Sequence, residues 1–245
     1  MSGRVGSITT PIITDGLVLN LDAANRASYP KTGTIWNDTI NGNNGTLTNG
    51  PTFNDANGGS IVFDGVNDYV NTTQIQFDRL NPFTLSVWVN TTNANNNQMI
   101  NNENSSYRGY QFAISSGGNV GRLSLFLRNT VSTNFIGAFS TNTVPTNTWT
   151  YLVATYNGSS LSSGIDLYLN GVKEVISSTV GNNLTSTTIS NETTWIGQRR
   201  PSTQGPFNGK ISQVSIYNRA LSSSEVLHNY NALKGRFGLW NSDLK

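Results

Sequence analysis

The sequence predicts an all-β sandwich with one short helix near its C-terminus. Three observations carry that prediction. Short runs of alternating apolar and polar residues recur along the chain, clusters of Asn, Gly and Pro separate them, and helical spacing appears only near the end.

Taken in order, "LVLNLDA" sets Leu17, Leu19 and Leu21 on one strand face, because side chains alternate along a strand. "GSIVFDG" is a short strand around Ile61, Val62 and Phe63. In "FTLSVWVN", Phe83, Leu85, Val87 and Val89 face one way and Thr84, Ser86, Trp88 and Asn90 the other. "YQFAIS" and "RLSLFLRN" form a pair around Gly117–Gly118. "TWTYLVATY" covers Thr148 to Tyr156, and "IDLYLNGVKEV" covers Ile165 to Val175. Within the latter, Asn170-Gly171 favours a type I′ turn, whose central residues both need positive φ. Val172 to Ile176 is therefore expected to pair back on Ile165 to Leu169. "TTWIGQR" and "GKISQVSIYN" are the last strands.

The period then changes. Val226, Leu227, Tyr230 and Leu233 follow helical spacing. Ser222 and Glu225 form an S-x-x-E capping box, with Leu221 and Val226 as a hydrophobic staple. Gly235 is the expected stop after Lys234. This divides the chain into an N-terminal arm (1–15), one β-sandwich domain (16–234) and a C-terminal tail (235–245). Phe237, Leu239 and Trp240 in the tail need an apolar surface, on the same sandwich or on a partner.

Composition narrows the function. The 245 residues suit one large domain. The absence of cysteine excludes disulfides, thiolate metal sites and thiol catalysis, and fits assembly in a reducing cytoplasm. The opening "MSGRVGSITTPIITDG" is polar, so no signal peptide is expected, and no apolar run has the length of a membrane span. Charged residues make up 11% of the chain, and Arg199–Arg200 is the densest basic cluster, which argues against nucleic-acid binding. Asn accounts for about one residue in seven, so the sequons at Asn37, Asn71, Asn157 and Asn191 follow from composition.

The segments "SIVFDGVNDYV", "FTLSVWVN", "TWTYLVATYNG", "LYLNG", "WIGQR" and "FNGKISQVSIYNRALSSSEV" occur in an order that resembles the laminin-G-like branch of the concanavalin A-like lectin/glucanase superfamily. The resemblance covers roughly residues 16–234. It implies a jelly-roll of two curved antiparallel sheets, terminal strands side by side, and the helix at the rim. "GLVLNLDAANRASYP" with "WNDTINGNNGTLTNGPTF" is similar to such domains in structural proteins of tailed bacteriophages. Many relatives carry acidic residues after the Ile of the "FxGxI" strand. Ser212 and Gln213 stand there instead, which removes a carboxylate that could serve calcium.

Glucan-cleaving relatives carry Glu-x-Asp-x-Glu on one strand, and no such run exists here. Glu103, Glu174, Glu192 and Glu225 are isolated, and Asp166 stands alone on its strand. His228 is the only histidine, which rules out a multi-histidine metal site within one chain. No catalytic set emerges. Calcium is the one candidate cofactor. "FDGVND" offers Asp64, Asn67 and Asp68 on a turn at Gly65, and "WNDTINGNNG" offers Asp38 with Asn41. The same side chains could instead cap their own turns.

Sugar binding needs an aromatic face with hydrogen-bonding side chains beside it. Trp36 and the long loop containing Asn97, Tyr107 and Arg108 meet that need, together with Arg199 and Arg200 at the start of "RRPSTQGPFNG". The competing reading packs Trp36 on the sandwich and leaves the loops merely solvated. Trp88, Trp149 and Trp195 lie within strands and are expected in the core or on a sheet face.

The expected function is a non-enzymatic bacteriophage virion protein, a head decoration or a tail- or fibre-associated component. It would be assembled in the host cytoplasm and would contact other virion proteins, further copies of itself and host glycans. A soluble carbohydrate-binding domain, extracellular or at a cell surface, is the alternative. An atypical glycoside hydrolase is the third reading.

Overall fold

The computed structural model describes residues 11–199 and 205–239. Among them, eight strands form one antiparallel sheet and nine form the other. The eight-stranded sheet runs Val172–Lys173, Ile165–Leu169, Thr150–Tyr156, Phe83–Thr91, Asn208–Tyr217, Ser60–Asp64, Thr52–Asn54, with Leu17–Asp22 also paired to Asn208–Tyr217. The nine-stranded sheet runs Ile176–Val180, Phe135–Thr143, Arg122–Arg128, Gly109–Ile114, Asn97–Asn101, Trp195–Ile196, Tyr69–Asn71, Gly45–Thr48, Ile35–Trp36. The predicted jelly-roll sandwich is the fold. Its first and last strands are neighbours, Leu21 opposite Val214.

Alternation builds the core between the sheets. Phe83, Leu85, Val87 and Val89 from one sheet join Tyr110, Phe112 and Ile114, and Leu123, Leu125 and Leu127, from the other. A second apolar layer lies on the outer face of the eight-stranded sheet. There Trp88, Trp149, Tyr151, Tyr168 and Tyr217 meet Val226 and Phe237, with Tyr230 and Leu233 packed against them. The Trp88 ring lies 4.3 Å from that of Phe237 and 5.7 Å from that of Tyr230.

The helix, Ser223–Leu233, therefore covers a sheet face, where a rim position was expected. Its capping box forms as predicted, Glu225 N–H donating to Ser222 Oγ at 3.3 Å and Ser222 N–H to Glu225 Oε2 at 2.8 Å. Leu227, placed by spacing on the apolar face, is exposed. The stop also moves. The chain passes Gly235 in a 3-10 turn, Lys234–Phe237, which drives Phe237 onto Trp88, and Gly238 takes the left-handed conformation at φ 72°. Within the described tail, Phe237 and Leu239 thus dock on their own sandwich. So do Ile12 and Ile13 from the N-terminal arm.

Two strand predictions need correction. Leu17 does not share a face with Leu19 and Leu21. A register shift between Leu17 and Leu19 turns Leu17 to the outer layer. The Asn170-Gly171 turn has both positive φ values, 50° and 81°, but the returning strand is only Val172–Lys173. Glu174 accepts from Asn142 N–H and Nδ2, and Ile176–Val180 then pairs with Phe135–Thr143 in the other sheet.

Ser212 and Gln213 now have a structural account. The register on the neighbouring strand shifts between Ile211 and Gln213, leaving Ser212 as the extra residue of a bulge. Its hydroxyl donates to the Gly59 carbonyl at 2.7 Å, and Gln213 Nε2 donates to Asn20 Oδ1 at 3.0 Å. A carboxylate at position 212 would face a carbonyl oxygen, so a neutral donor belongs there.

Candidate binding cleft

The two outer sheet faces differ. The helix and tail seal the face of the eight-stranded sheet. The face of the nine-stranded sheet holds a cleft of about 280 Å³. Because Tyr110, Phe112, Leu123, Leu125 and Leu127 point inward, their alternate neighbours Gln111, Ala113, Ser124, Phe126 and Arg128 point out and line it. Gln98, Phe139 and Arg199 complete the polar and aromatic part of its wall.

The cleft is braced by ion pairs. Arg128 Nη1 donates to Glu103 Oε1 and, at 2.8 Å, to Gln111 Oε1. Arg199 Nε donates to Glu103 Oε2 at 2.8 Å. Glu103 N–H donates to Asn101 Oδ1 at 3.0 Å, and Asn101 Nδ2 donates back to Glu103 Oε2 at 3.4 Å beneath both guanidiniums. The Glu103 side chain is fully buried. A buried acid needs such partners, since an unpaired charge there would be costly. Burial pushes the Arg128 pKa down, and the Glu103 charge opposes that shift.

Aromatic rings frame the guanidiniums. Arg199 stacks over Tyr107 at 4.4 Å, and Arg128 over Phe126 at 4.0 Å. Phe126 lies across Gly137, where a Cβ would sit 2.5 Å from its Cδ1, so this register position needs glycine. On the same sheet, Trp195 stacks on Tyr69 at 4.0 Å.

The structure brings part of the predicted sugar site together. Tyr107 holds Arg199 through its ring, and Arg199 lines the cleft, while Tyr107 itself is not part of the lining. Arg108 follows Tyr107; its N–H donates to Asn104 Oδ1, and its Nε is buried without a partner among the described residues. Arg200 lies outside the described residues. Two expectations are corrected. Trp36 is fully buried in the core and offers no ring face to a sugar. Asn97 is buried and structural: its Nδ2 donates to Asn93 O and Thr91 Oγ1, and its Oδ1 accepts from Asn208 N–H. Gln98, Gln111, Phe126 and Arg128 escaped the reading because they sit inside strands. For Gln111, Phe126 and Arg128 the signal was the outward half of the alternation in "YQFAIS" and "RLSLFLRN". Glu103, read as isolated, is the anchor of the site.

The proposed calcium ligands separate. Asp38 accepts four backbone N–H groups, from Asn20, Ile40, Asn41 and Asn43, at 2.8–3.2 Å. With its oxygens used to hold the loop, Asp38 does not fit a metal. Asp64 Oδ1 accepts from Val66 and Asn67, as a turn cap does, and Asn67 points its carbonyl to Asn49. Asp68 is different. Its Oδ2 accepts from Asp64 N–H, but its Oδ1 is buried with no protein partner among the described residues. Burial and the neighbouring Asp64 charge push its pKa up, against the Asp64 amide. The described residues contain no group of three His, Cys, Asp or Glu set to hold a metal. His228 Nε2 contacts the Pro11 carbonyl at 2.9 Å.

Residues 64–227 match the laminin G family model described as the concanavalin A-like lectin/glucanases superfamily. The chain belongs to that superfamily. No curated protein matches this superfamily member in sequence at a significant level. Solved structures similar to this laminin-G-like domain include the binding domain of Paraclostridial Mosquitocidal Protein 1, with TM-score 0.63 and 19% identity over 89% of this chain and 52% of that one. Domain 4 of an extracellular arabinanase from Geobacillus stearothermophilus, in complex with arabinotriose, gives TM-score 0.62 and 18% identity over 89% of this chain and 98% of that one. The binding domain of botulinum neurotoxin serotype C1 gives TM-score 0.62 and 15% identity, over 89% and 52%. The chain thus spans about half the length of the two toxin binding domains and nearly all of the arabinanase domain.

Proposed function

We propose that this domain binds carbohydrate, without cleaving it, through the cleft on the outer face of the nine-stranded sheet. The observation that carries the reading is the contrast between the two faces: one sealed by helix and tail, the other lined by rings, guanidiniums, amides and hydroxyls. Aromatic faces and fixed hydrogen-bonding groups are what sugar recognition requires. The arabinanase domain solved in complex with arabinotriose supports the same use of the fold. Glycoside cleavage needs two carboxylates about 5–10 Å apart across the bond. Among the described residues the cleft lining contains none, and Glu103 is committed to two guanidiniums.

The similarity of residues 16–53 to tailed-phage structural proteins supports a virion surface as the setting, with other virion proteins or further copies of the chain as neighbours. Any calcium the domain takes is assigned to the Asp64–Asp68 turn, because Asp68 keeps an unspent buried oxygen and Asp38 does not. A glycan array probed with the whole chain tests the function. Binding to a defined glycan class with no sugar released supports it. An empty array, or release of sugar that depends on one carboxylate pair, contradicts it. Retention of the protein on purified phage particles tests the setting.

A further inference from the structure

The cleft has a charge as well as a shape. Among the described residues, two guanidiniums line it, Arg128 and Arg199, and no carboxylate does. The acid that pairs with both lies underneath, fully buried. One carboxylate against two guanidiniums leaves one positive charge in excess. Arg128 meets Glu103 and Gln111 through Nη1, and Arg199 meets Glu103 through Nε. Paired guanidinium nitrogens match the two oxygens of a carboxylate, and charge-assisted bonds of this kind are the strong ones. Both side chains are mostly buried, at 10% and 13% exposure, so an anion there would be poorly screened by salt water. Burial already weighs against the Arg128 charge, and an entering anion would relieve that cost.

We propose that the cleft takes an acidic sugar residue, its carboxylate against Arg128 and Arg199 and its ring against Phe126. Gln98, Gln111 and Ser124 are the hydroxyl partners. The volume is slightly below the usual range for small-molecule sites, which starts at about 300 Å³, and suits a single sugar residue. This rests on the carbohydrate-binding reading above and names its ligand class.

Matched pairs of oligosaccharides test it: sialyllactose against lactose, and trigalacturonate against its methyl ester, titrated into the whole chain. The acidic member of at least one pair should bind about tenfold or more tightly than its neutral partner. Raising sodium chloride from about 50 to about 500 mM should leave most of that gap in place, because the pairing is buried. Arg199→Gln should abolish the preference; because it removes one of the two partners of buried Glu103 it should also lower the melting temperature, and binding is compared where the variant remains folded. Arg128→Gln should do the same if it folds. Equal or tighter binding of the neutral members overturns the acidic-sugar proposal and leaves carbohydrate binding standing. Acid preference untouched by Arg199→Gln overturns the assignment to this cleft. No binding of any of the four probes overturns the acidic-sugar proposal, and a blank glycan array in addition overturns carbohydrate binding itself.

Discussion

Arg199 donates from Nε to Oε2 of Glu103 at 2.8 Å, tying the segment after the Trp195–Ile196 strand to the loop that carries Tyr107. Arg128 holds the other oxygen of the same carboxylate. One buried acid thus fixes both cations of the cleft. Glu103→Gln removes the charge that keeps the guanidiniums together. We expect a loss of about 3 kcal/mol in urea unfolding, in the range for a buried pair broken from one side. A loss below about 0.5 kcal/mol, the scale of an ordinary surface change, would mean that Glu103 does not brace the site.

Phe237 is 7% exposed, stacks on Trp88 at 4.3 Å and lies tilted against Trp149 at 4.6 Å. Phe237→Ala should cost about 3 kcal/mol or more, because it opens a cavity in an apolar layer. Tryptophan fluorescence should shift toward that of exposed indole. An unchanged spectrum and midpoint would show that the tail does not seal the eight-stranded sheet.

Glu225 sits where acid unfolding should start at this end of the molecule. Hydrogen bonds from Arg219, with further ones from Ser222, hold its pKa down at about 2. A folded pKa below the unfolded one contributes stability that is present above the unfolded value, about 4.3, and is lost as pH falls toward 2. Glu225→Gln should therefore flatten the fall in melting temperature between about pH 4.5 and about pH 2. Ser222→Ala should cost about 1 kcal/mol at neutral pH. A pH profile of Glu225→Gln parallel to that of the parent would contradict this account.

Much of the fold was legible because it rests on local rules. The alternation in "FTLSVWVN", the Asn170-Gly171 turn and the Ser222–Glu225 box each act over a few residues and formed as read. What failed was decided at a distance. Leu17 turned outward through a register shift with a strand some two hundred residues away, and the chain crosses to the other sheet after Glu174, whose N–H still donates to the Leu167 carbonyl while its carboxylate meets Asn142. The site followed the same division. Tyr107 and Arg199 were recognisable as loop residues. Trp36 was left open between a sugar-facing ring and packing on the sandwich, and it fills the core. Glu103 acquires its meaning only when Arg128 and Arg199 arrive from other parts of the sheet.

Asp68 carries the calcium question. Its raised pKa means that the fold favours the protonated form, so without metal its contribution is most favourable at low pH and is lost as pH rises through the folded value. Asp68→Asn should raise the melting temperature at neutral pH in the presence of a chelator. Millimolar calcium should raise it for the parent and leave Asp68→Asn unchanged. Calcium heat or stabilisation of equal size in both proteins would move the metal elsewhere.

The central claim is that ligand meets the outer face of the nine-stranded sheet. Amide chemical-shift mapping with an oligosaccharide that the glycan array identifies tests it most directly. The account predicts perturbations clustered at Gln98, Gln111 to Ser115, Ser124 to Arg128, Phe139 and Arg199. Perturbations centred instead on the Asp38 loop, the Asp64–Asp68 turn or the helix Ser223–Leu233 would contradict it.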